Sequence, residues 1–302
     1  MKNIGVIGLG NMGRGMALSL QRGGFNVIGT DVSAATRERL AGEGVPVRAT
    51  IAEVLAEADA VVLSLPTAAI VAQVVSGNDG LVANAKPGVL VVDTSTSHPQ
   101  TTRTLAAQLA AVGMRLIDAP VSGGPKGAIT GTMTMVIGGS QADVARAEPF
   151  LAAMSAKRVH VGEIGGGHVA KIANNLLCAA HLLIAGEVAR LAEKAGVPTD
   201  KLLKGINAGS GRSFVTEFNF PTWVTSGKFD SGFTMKLMRK DVCLSQELIG
   251  ALDIELPMSA KVAELWAHSS ASIPDDEDFN RIVDLGRRAT TRPVDSTSKD
   301  PS

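Results

Sequence analysis

The fold is decided by a glycine-rich stretch near the start of the chain, Gly8-Leu9-Gly10-Asn11-Met12-Gly13. It directly follows a short apolar, β-branched run at residues 4–7 and leads into a helical pattern over residues 14–22. A strand, a tight glycine turn and a helix in this order present free backbone N–H groups at the helix N-terminus, where phosphate binds. Asp31 lies 18 residues beyond Gly13, after the next strand-like run. These features together predict a dinucleotide-binding βαβ unit.

Each glycine of this motif has a physical reason. Gly8 permits the tight turn, Gly10 lets the backbone approach a pyrophosphate, and Gly13 allows the helix to pack closely on the strand. We therefore expect all of residues 8–13, including Leu9, Asn11 and Met12, to border the cofactor.

Asp31 indicates which dinucleotide is bound. Its carboxylate is expected to accept hydrogen bonds from the adenosine ribose hydroxyls, and its charge would repel a 2′-phosphate. The sequence therefore predicts NAD rather than NADP. Arg37 and Arg39 leave the alternative open, because either side chain could turn toward a phosphate; solvated helix charge is the favoured interpretation of both.

Strand-like and helix-like runs alternate along the first half of the chain. Further β-branched runs lie at residues 27–29, 60–65, 89–92, 115–119 and 133–138. This alternation predicts an α/β fold, with a Rossmann-type doubly wound sheet over residues 1–163. Ligands bind at the carboxyl ends of strands in such sheets, which points to residues 63–66 and 92–96 as well.

The pattern changes at residue 164, where helical periodicity takes over. Residues 168–195 are apolar on nearly every side, which predicts a long buried helix joining two domains. Helical runs at 199–207, 234–252 and 257–267 predict an all-α domain over residues 164–285. Residues 286–302 are polar and without periodicity, and we expect them to be disordered.

Composition narrows the class of protein. Lys plus Arg and Asp plus Glu each number 29, so no net field gathers nucleic acid or an anionic membrane. The longest apolar run, residues 176–186, contains His181 and is too short for a bilayer. Cys178 and Cys243 belong to no CxxC pair, so no zinc site is expected and a reduced cytoplasmic setting is the default. The chain has no tyrosine, which leaves His, Lys or a carboxylate as the acid/base.

Two polar clusters could carry chemistry. Ser122-Gly123-Gly124, set between two prolines, offers a hydroxyl and successive backbone N–H groups that suit a carboxylate, although a plain tight turn is the alternative. Lys171 and Asn175 share one face of the predicted long helix. A lysine in an apolar helix is costly unless it is paired or functional, so either a general acid/base or a buried ion pair is indicated. His168 and His181 are interpreted as core or interface histidines.

Four motifs in this order resemble the β-hydroxyacid dehydrogenase family. They are the GLGNMG at residues 8–13 with Asp31, the DAPVSGG at 118–124, the GxGxxxKxxxN from Gly165 to Asn175, and Lys240-Asp241. The resemblance extends from Met1 to about residue 285. It implies that Lys171 is the general acid/base, that Asn175 holds the substrate, and that Ser122, Gly123 and Gly124 anchor its carboxylate. It also implies that Leu65, Pro66, Thr96 and Lys240 border the cofactor, with Asp241 in a structural role.

The resemblance further implies a small hydroxy-acid or semialdehyde substrate, hydride transfer, and a homodimer or homotetramer. The stretch Ser210-Gly211-Arg212 is more similar to 3-hydroxyisobutyrate dehydrogenases than to tartronate semialdehyde reductases. Tartronate semialdehyde, four-carbon hydroxy acids and sulfonated hydroxy acids remain alternatives. Imine reductases and non-catalytic dinucleotide sensors tend to lack the lysine found here at position 171, which disfavours both.

Overall fold

The computed structural model describes residues 1–286 of the chain. Its strands are β1 (Asn3–Ile7), β2 (Asn26–Thr30), β3 (Ala60–Leu63), β4 (Leu90–Asp93), β5 (Arg115–Asp118), β6 (Val121–Ser122), β7 (Met133–Gly138) and β8 (Ser155–Gly162). The α-helices are α1 (Asn11–Arg22), α2 (Ala34–Gly42), α3 (Ile51–Glu57), α4 (Ala68–Ser76), α5 (Pro99–Ala111), α6 (Gly124–Thr130), α7 (Gln141–Met154), α8 (Gly166–Lys194), α9 (Thr199–Asn207), α10 (Met235–Ala251) and α11 (Pro257–His268). A π-helix spans Val215–Val224, and 3₁₀-helices span Ser269–Ala271 and Phe279–Asp284.

The described residues form two compact units, which divide between Asn174 and Asn175. Helix α8 begins in the first unit and ends in the second. The predicted disordered tail lies outside the described residues except for Gly286.

The first unit is built on one sheet with the strand order β2-β1-β3-β4-β5-β7-β6, and β8 pairs with β7. The five strands β1 to β5 are parallel, so their carboxyl ends lie at one edge. Strand β7 runs antiparallel to β5 and β6. Asp59 ties the start of β1 to the start of β3, because the N–H groups of Asn3 and Lys2 donate to its carboxylate and lower its pKa.

Both faces of this sheet are covered by helices. Val62 and Val92 join one buried cluster with side chains of α1 and α7, while Val61 and Val91 join a second cluster with side chains of α3, α4 and α5. Alternation of neighbouring residues between two apolar layers requires the near-continuous hydrophobic strands that the sequence shows. The predicted doubly wound α/β fold is confirmed.

In residues 175–286 of the second unit the regular elements are helices, joined by loops, apart from one isolated bridge between Thr234 and Asp278. Its core forms where Ala179 and Leu182 of α8 meet side chains from the π-helix, α10 and α11. The predicted long helix and helical C-terminal region are confirmed.

One face of α8 departs from the prediction that nearly every side is buried. Leu177, Ile184 and Leu191 are 59%, 54% and 70% exposed. Their spacing of seven residues places them along one line of the helix. Apolar composition alone does not distinguish a side chain packed in the core from one left at the surface.

Helix α8 also meets the length and composition criteria for a membrane span. An 18-residue window has a mean hydropathy of 1.4, and 33% of that window is buried. The apolar run at residues 176–186 is shorter than this window, so its length alone did not predict the match. A core helix of a soluble protein meets the same criteria, so they do not separate the two cases.

Candidate functional site

The glycine-rich loop after β1 is shaped by close backbone contacts. Gly8 has a φ of +90°, and a Cβ there would lie 2.3 Å from the Ser64 carbonyl oxygen. A Cβ at Gly13 would lie 1.8 Å from the Gly8 carbonyl oxygen. A Cβ at Gly10 would meet no atom within 4 Å. Gly8 and Gly13 are therefore required by the packing of the protein itself, whereas Gly10 leaves open space in front of the loop.

Helix α1 starts at this open space. Gly10 is its N-cap residue, and no side chain caps the helix. Leu9 is buried in the core, Asn11 is exposed, and Met12 packs partly against the same core. A helix N-terminus without a side-chain cap beside a glycine with free space fits a pyrophosphate, because both the N–H groups and the dipole favour an anion.

Asp31 is held at the carboxyl end of β2 by this loop. Its Oδ2 accepts from the Leu9 N–H at 2.7 Å and its Oδ1 from the Ser33 N–H at 2.9 Å. A carboxylate has about four acceptor sites, so both oxygens keep capacity for ribose hydroxyls.

Two arginines lie close to this carboxylate. Arg37 Nη1 donates to the Asp31 carbonyl oxygen at 2.5 Å, and Arg39 Nη2 donates to the Leu9 carbonyl oxygen at 3.4 Å. Arg37 is half-buried, and this bond fixes its guanidinium to the backbone beside Asp31. Both guanidinium groups border the position expected for the ribose.

The ends of β3 and β4 are joined by a serine. The Leu65 N–H donates to Ser95 Oγ at 3.1 Å, and the Ser95 N–H donates to Asp93 Oδ1 at 2.9 Å. Thr96 is half-buried and Pro66 is exposed. The structure thus brings together the two strand ends at which the sequence predicts cofactor contacts.

Lys171 and the Ser122 loop meet in the first unit. Lys171 is 8% exposed, and its Nζ donates to Ser122 Oγ at 2.9 Å. Gly123 and Gly124 have φ values of +124° and +61°, a conformation that favours glycine. The Lys171 amine therefore lies beside the hydroxyl and the backbone turn at which the sequence predicts a carboxylate.

Asn175, one turn beyond Lys171 on α8, belongs to the second unit. It is 5% exposed, and its Nδ2 donates to Oδ2 of the buried Asp241 at 2.5 Å. Lys240 Nζ lies 3.1 Å from Asp241 Oδ1. Asp241 thus contacts both side chains.

Sequence reasoning gave no role to Asp118 and only a packing role to His168. Both are fully buried beside the start of α8, where the backbone N–H groups of Gly165 and His168 donate to the Asp118 carboxylate. Gly165 was one available signal for this role of Asp118. A glycine before a helix cannot supply a side-chain cap, so the cap must come from another part of the chain.

The first unit combines a doubly wound sheet and an uncapped glycine loop with an acidic residue after the second strand and a buried lysine. This combination defines a dinucleotide-dependent oxidoreductase. Residues 3–162 match the profile of the NAD-binding domain of 6-phosphogluconate dehydrogenase, and residues 165–285 match the NAD-binding profile of NADP-dependent 3-hydroxyisobutyrate dehydrogenase. The chain belongs to the β-hydroxyacid dehydrogenase family, whose members act on the CH–OH group of small hydroxy acids.

Individual relatives agree with this assignment. The chain is 33% identical to 2-(hydroxymethyl)glutarate dehydrogenase of Eubacterium barkeri, with 95% of each chain covered. It is similar to the solved structure of Mycobacterium tuberculosis 3-hydroxyisobutyrate dehydrogenase with L-serine, at a TM-score of 0.89 and 33% identity, covering 95% of this chain and 99% of that one. An imine reductase from Bacillus cereus, at 21% identity and a TM-score of 0.61 over 95% of this chain and 99% of that one, shares the fold alone.

Proposed function

We propose that this protein interconverts a small β-hydroxy acid, HOCH₂–CH(R)–COO⁻, and its semialdehyde, with NAD as the hydride acceptor and Lys171 as the general acid/base. The observation that carries the proposal is the contact between the buried Lys171 amine and the Ser122 hydroxyl. The names of the relatives support the substrate class. The acids 3-hydroxyisobutyrate, 2-(hydroxymethyl)glutarate and L-serine all carry a hydroxymethyl group on the carbon next to a carboxylate.

The residues of the first unit suggest how the reaction proceeds. Lys171 donates to Ser122 Oγ, so the Ser122 hydroxyl hydrogen is available for the substrate carboxylate, together with the backbone N–H groups of Gly123 and Gly124. In the oxidation, neutral Lys171 accepts the hydroxyl proton. In the reduction, protonated Lys171 returns a proton to the aldehyde oxygen. A bound nicotinamide supplies the hydride chemistry.

NAD is proposed over NADP because of Asp31. Its negative charge would lie beside the ribose, where a 2′-phosphate would be repelled. Arg37 and Arg39 oppose this preference, but their guanidinium groups donate to backbone carbonyl oxygens. One carboxylate and two guanidinium groups thus act on the 2′ position in opposite directions. The measured preference between NAD and NADP therefore tests whether the charge of Asp31 dominates.

We expect NADH formation, followed by absorbance, with at least one acid of a panel whose first four members differ only in R. The panel holds 3-hydroxyisobutyrate, 2-(hydroxymethyl)glutarate, L-serine and glycerate, with sulfonated and four-carbon hydroxy acids added. The value of kcat/KM should be higher with NAD than with NADP, and Asp31→Asn should narrow that difference. A strong NADP preference in the unsubstituted protein would refute the role of Asp31. Tight NAD binding with no turnover across the panel would favour a dinucleotide sensor.

We also propose that the protein works in the cytoplasm. This rests on the sequence features given above. Cys178 and Cys243 are both free thiols in the structure, which is compatible with a reducing compartment.

We propose that the chain forms a homo-oligomer through the exposed face of α8. Leu177, Ile184 and Leu191 recur every seven residues, the spacing with which two helices pack along a shared seam. A second copy of this chain would present the same stripe, as a two-fold interface requires. A homodimer or homotetramer is therefore expected in solution, without association with a membrane.

Light scattering is expected to give a mass of two or four times 31.1 kDa. Ile184→Glu should lower that mass, because it puts a charge into an apolar seam. Val159→Glu on β8 is the matched control, since Val159 is 51% exposed and lies in the first unit. A monomer of unsubstituted protein, or its sedimentation with phosphatidylcholine vesicles, would contradict the proposal.

A further inference from the structure

The start of helix α8 is fastened to the sheet by a carboxylate from a distant strand. Asp118, the last residue of β5, accepts the Gly165 N–H with Oδ1 at 2.7 Å and the His168 N–H with Oδ2 at 2.8 Å. In a capping box these two N–H groups are satisfied by the side chains of the N-cap and N3 residues. Here Gly165 has none to offer, so one buried carboxylate serves both and also meets the positive end of the helix dipole.

Glycines make room for this close approach. A Cβ at Gly138 would lie 2.5 Å from Asp118 Oδ1, and a Cβ at Gly167 would lie 2.6 Å from the Val136 carbonyl oxygen. Gly165 has a φ of +88°. The helix start is thus held against β5 and β7 at a distance that side chains would not allow.

The imidazole of His168 provides a second attachment. It is fully buried, with Nε2 3.0 Å from the Ser95 carbonyl oxygen and Nδ1 2.8 Å from Thr102 Oγ1. A carbonyl oxygen only accepts, so Nε2 carries the hydrogen and donates it. His168 therefore fastens α8 to the segment that immediately precedes Thr96.

Lys171 follows His168 by one helical turn, and Ser122 follows Asp118 by four residues. The Asp118 bonds and the Lys171–Ser122 bond therefore join the same two segments at two points. Rotation or sliding of the first turn of α8 would move the Lys171 amine away from Ser122. A misplacement of about 1 Å can cost roughly a hundredfold in rate.

We propose that Asp118 and His168 are positioning residues that fix the Lys171 amine relative to the Ser122 and Thr96 segments. This inference rests on the proposed function of Lys171. It assigns Asp118 a role apart from substrate contact, since its side chain is fully buried and both of its oxygens accept backbone N–H groups at the start of α8.

Asp118→Asn keeps the size of the side chain but loses the charge and one acceptor. We expect kcat to fall about 10–100-fold, with a change of less than about threefold in the KM for NAD, because the glycine loop is untouched. His168→Leu should cause a loss of the same order. His168→Gln keeps an N–H donor for the Ser95 carbonyl and should recover part of kcat.

Ser140→Ala is the control for a merely structural effect. Ser140 caps α7 in the same unit by accepting the Asp143 N–H, so its loss lowers the melting temperature and leaves kcat unchanged. The decisive measurement is Asp118→Asn combined with Lys171→Ala. If Asp118 acts through the amine, the double variant has the kcat of Lys171→Ala alone. If Asp118→Asn lowers kcat by the same factor with Lys171 present and with Lys171→Ala, the inference is overturned.

A second readout does not need turnover. Acetic anhydride should label Lys171 slowly in the unsubstituted protein and severalfold faster in Asp118→Asn and His168→Leu, with exposed Lys157 as the internal reference. Unchanged labelling of Lys171 in both variants would overturn the positioning role. An unsubstituted protein that is inactive on every substrate but shows this change would instead refute the proposed function alone.

Discussion

Lys171→Ala is expected to lower kcat by at least about a hundredfold to a thousandfold, the loss typical of a missing general acid/base. Lys171 is 8% exposed and its Nζ donates to Ser122 Oγ, so the substitution removes the amine from beside that hydroxyl. NAD binding should survive, because the glycine loop and Asp31 lie on other segments. Steady-state kinetics and calorimetric titration with NAD measure the two effects separately.

The controls for this prediction are two other substitutions. Lys157→Ala removes an exposed lysine of β8 and should leave kcat unchanged. Lys171→Arg keeps a cation and a donor for Ser122, but guanidinium does not give up its proton, so kcat should stay low. A near-normal kcat in Lys171→Ala would refute the acid/base role. Full activity in Lys171→Arg would show that Lys171 contributes only its positive charge.

The parallel strands β1 to β5 were predictable because each is a short, β-branched run bounded by Gly, Pro or Asp. Strand β8 was not predicted. Its sequence, Ser155–Gly162, carries Lys157, Arg158 and His160, and most of it is exposed. Burial on both faces produces the apolar signal, and a strand that lacks such burial gives none.

The candidate site was predictable where one local segment carries the signal. The glycine loop and the strand ends fall into this class, because turn chemistry and helix N-termini are properties of neighbouring residues. The partner of Asn175 lies 66 residues away at Asp241. The cap of α8 lies 47 residues before Gly165. Such pairs form only in the tertiary structure. The sequence therefore indicates that a buried polar group needs a partner, but it does not identify the partner residue.

The glycines of the nucleotide loop permit a second prediction with a large effect, because the structure separates their roles. Gly10 has φ −59° and ψ −172°, which any L-residue can adopt, and its Cβ would have no neighbour within 4 Å. Gly10→Ala should therefore fold with an unchanged or slightly higher melting temperature. Its methyl group would occupy the space expected for the pyrophosphate, and overpacking of about 1–3 kcal/mol would raise the Kd for NAD roughly 10–100-fold.

Gly13→Ala should behave differently, since its Cβ would lie 1.8 Å from the Gly8 carbonyl oxygen. Both the melting temperature and NAD affinity should fall. Gly42→Ala, at the end of α2, is the neutral control, because its Cβ also has no neighbour within 4 Å. Calorimetric titration and thermal melts of the three variants give the comparison. If Gly10→Ala binds NAD as the unsubstituted protein does, the open space in front of the loop is not where the pyrophosphate lies, and the dinucleotide must be held elsewhere.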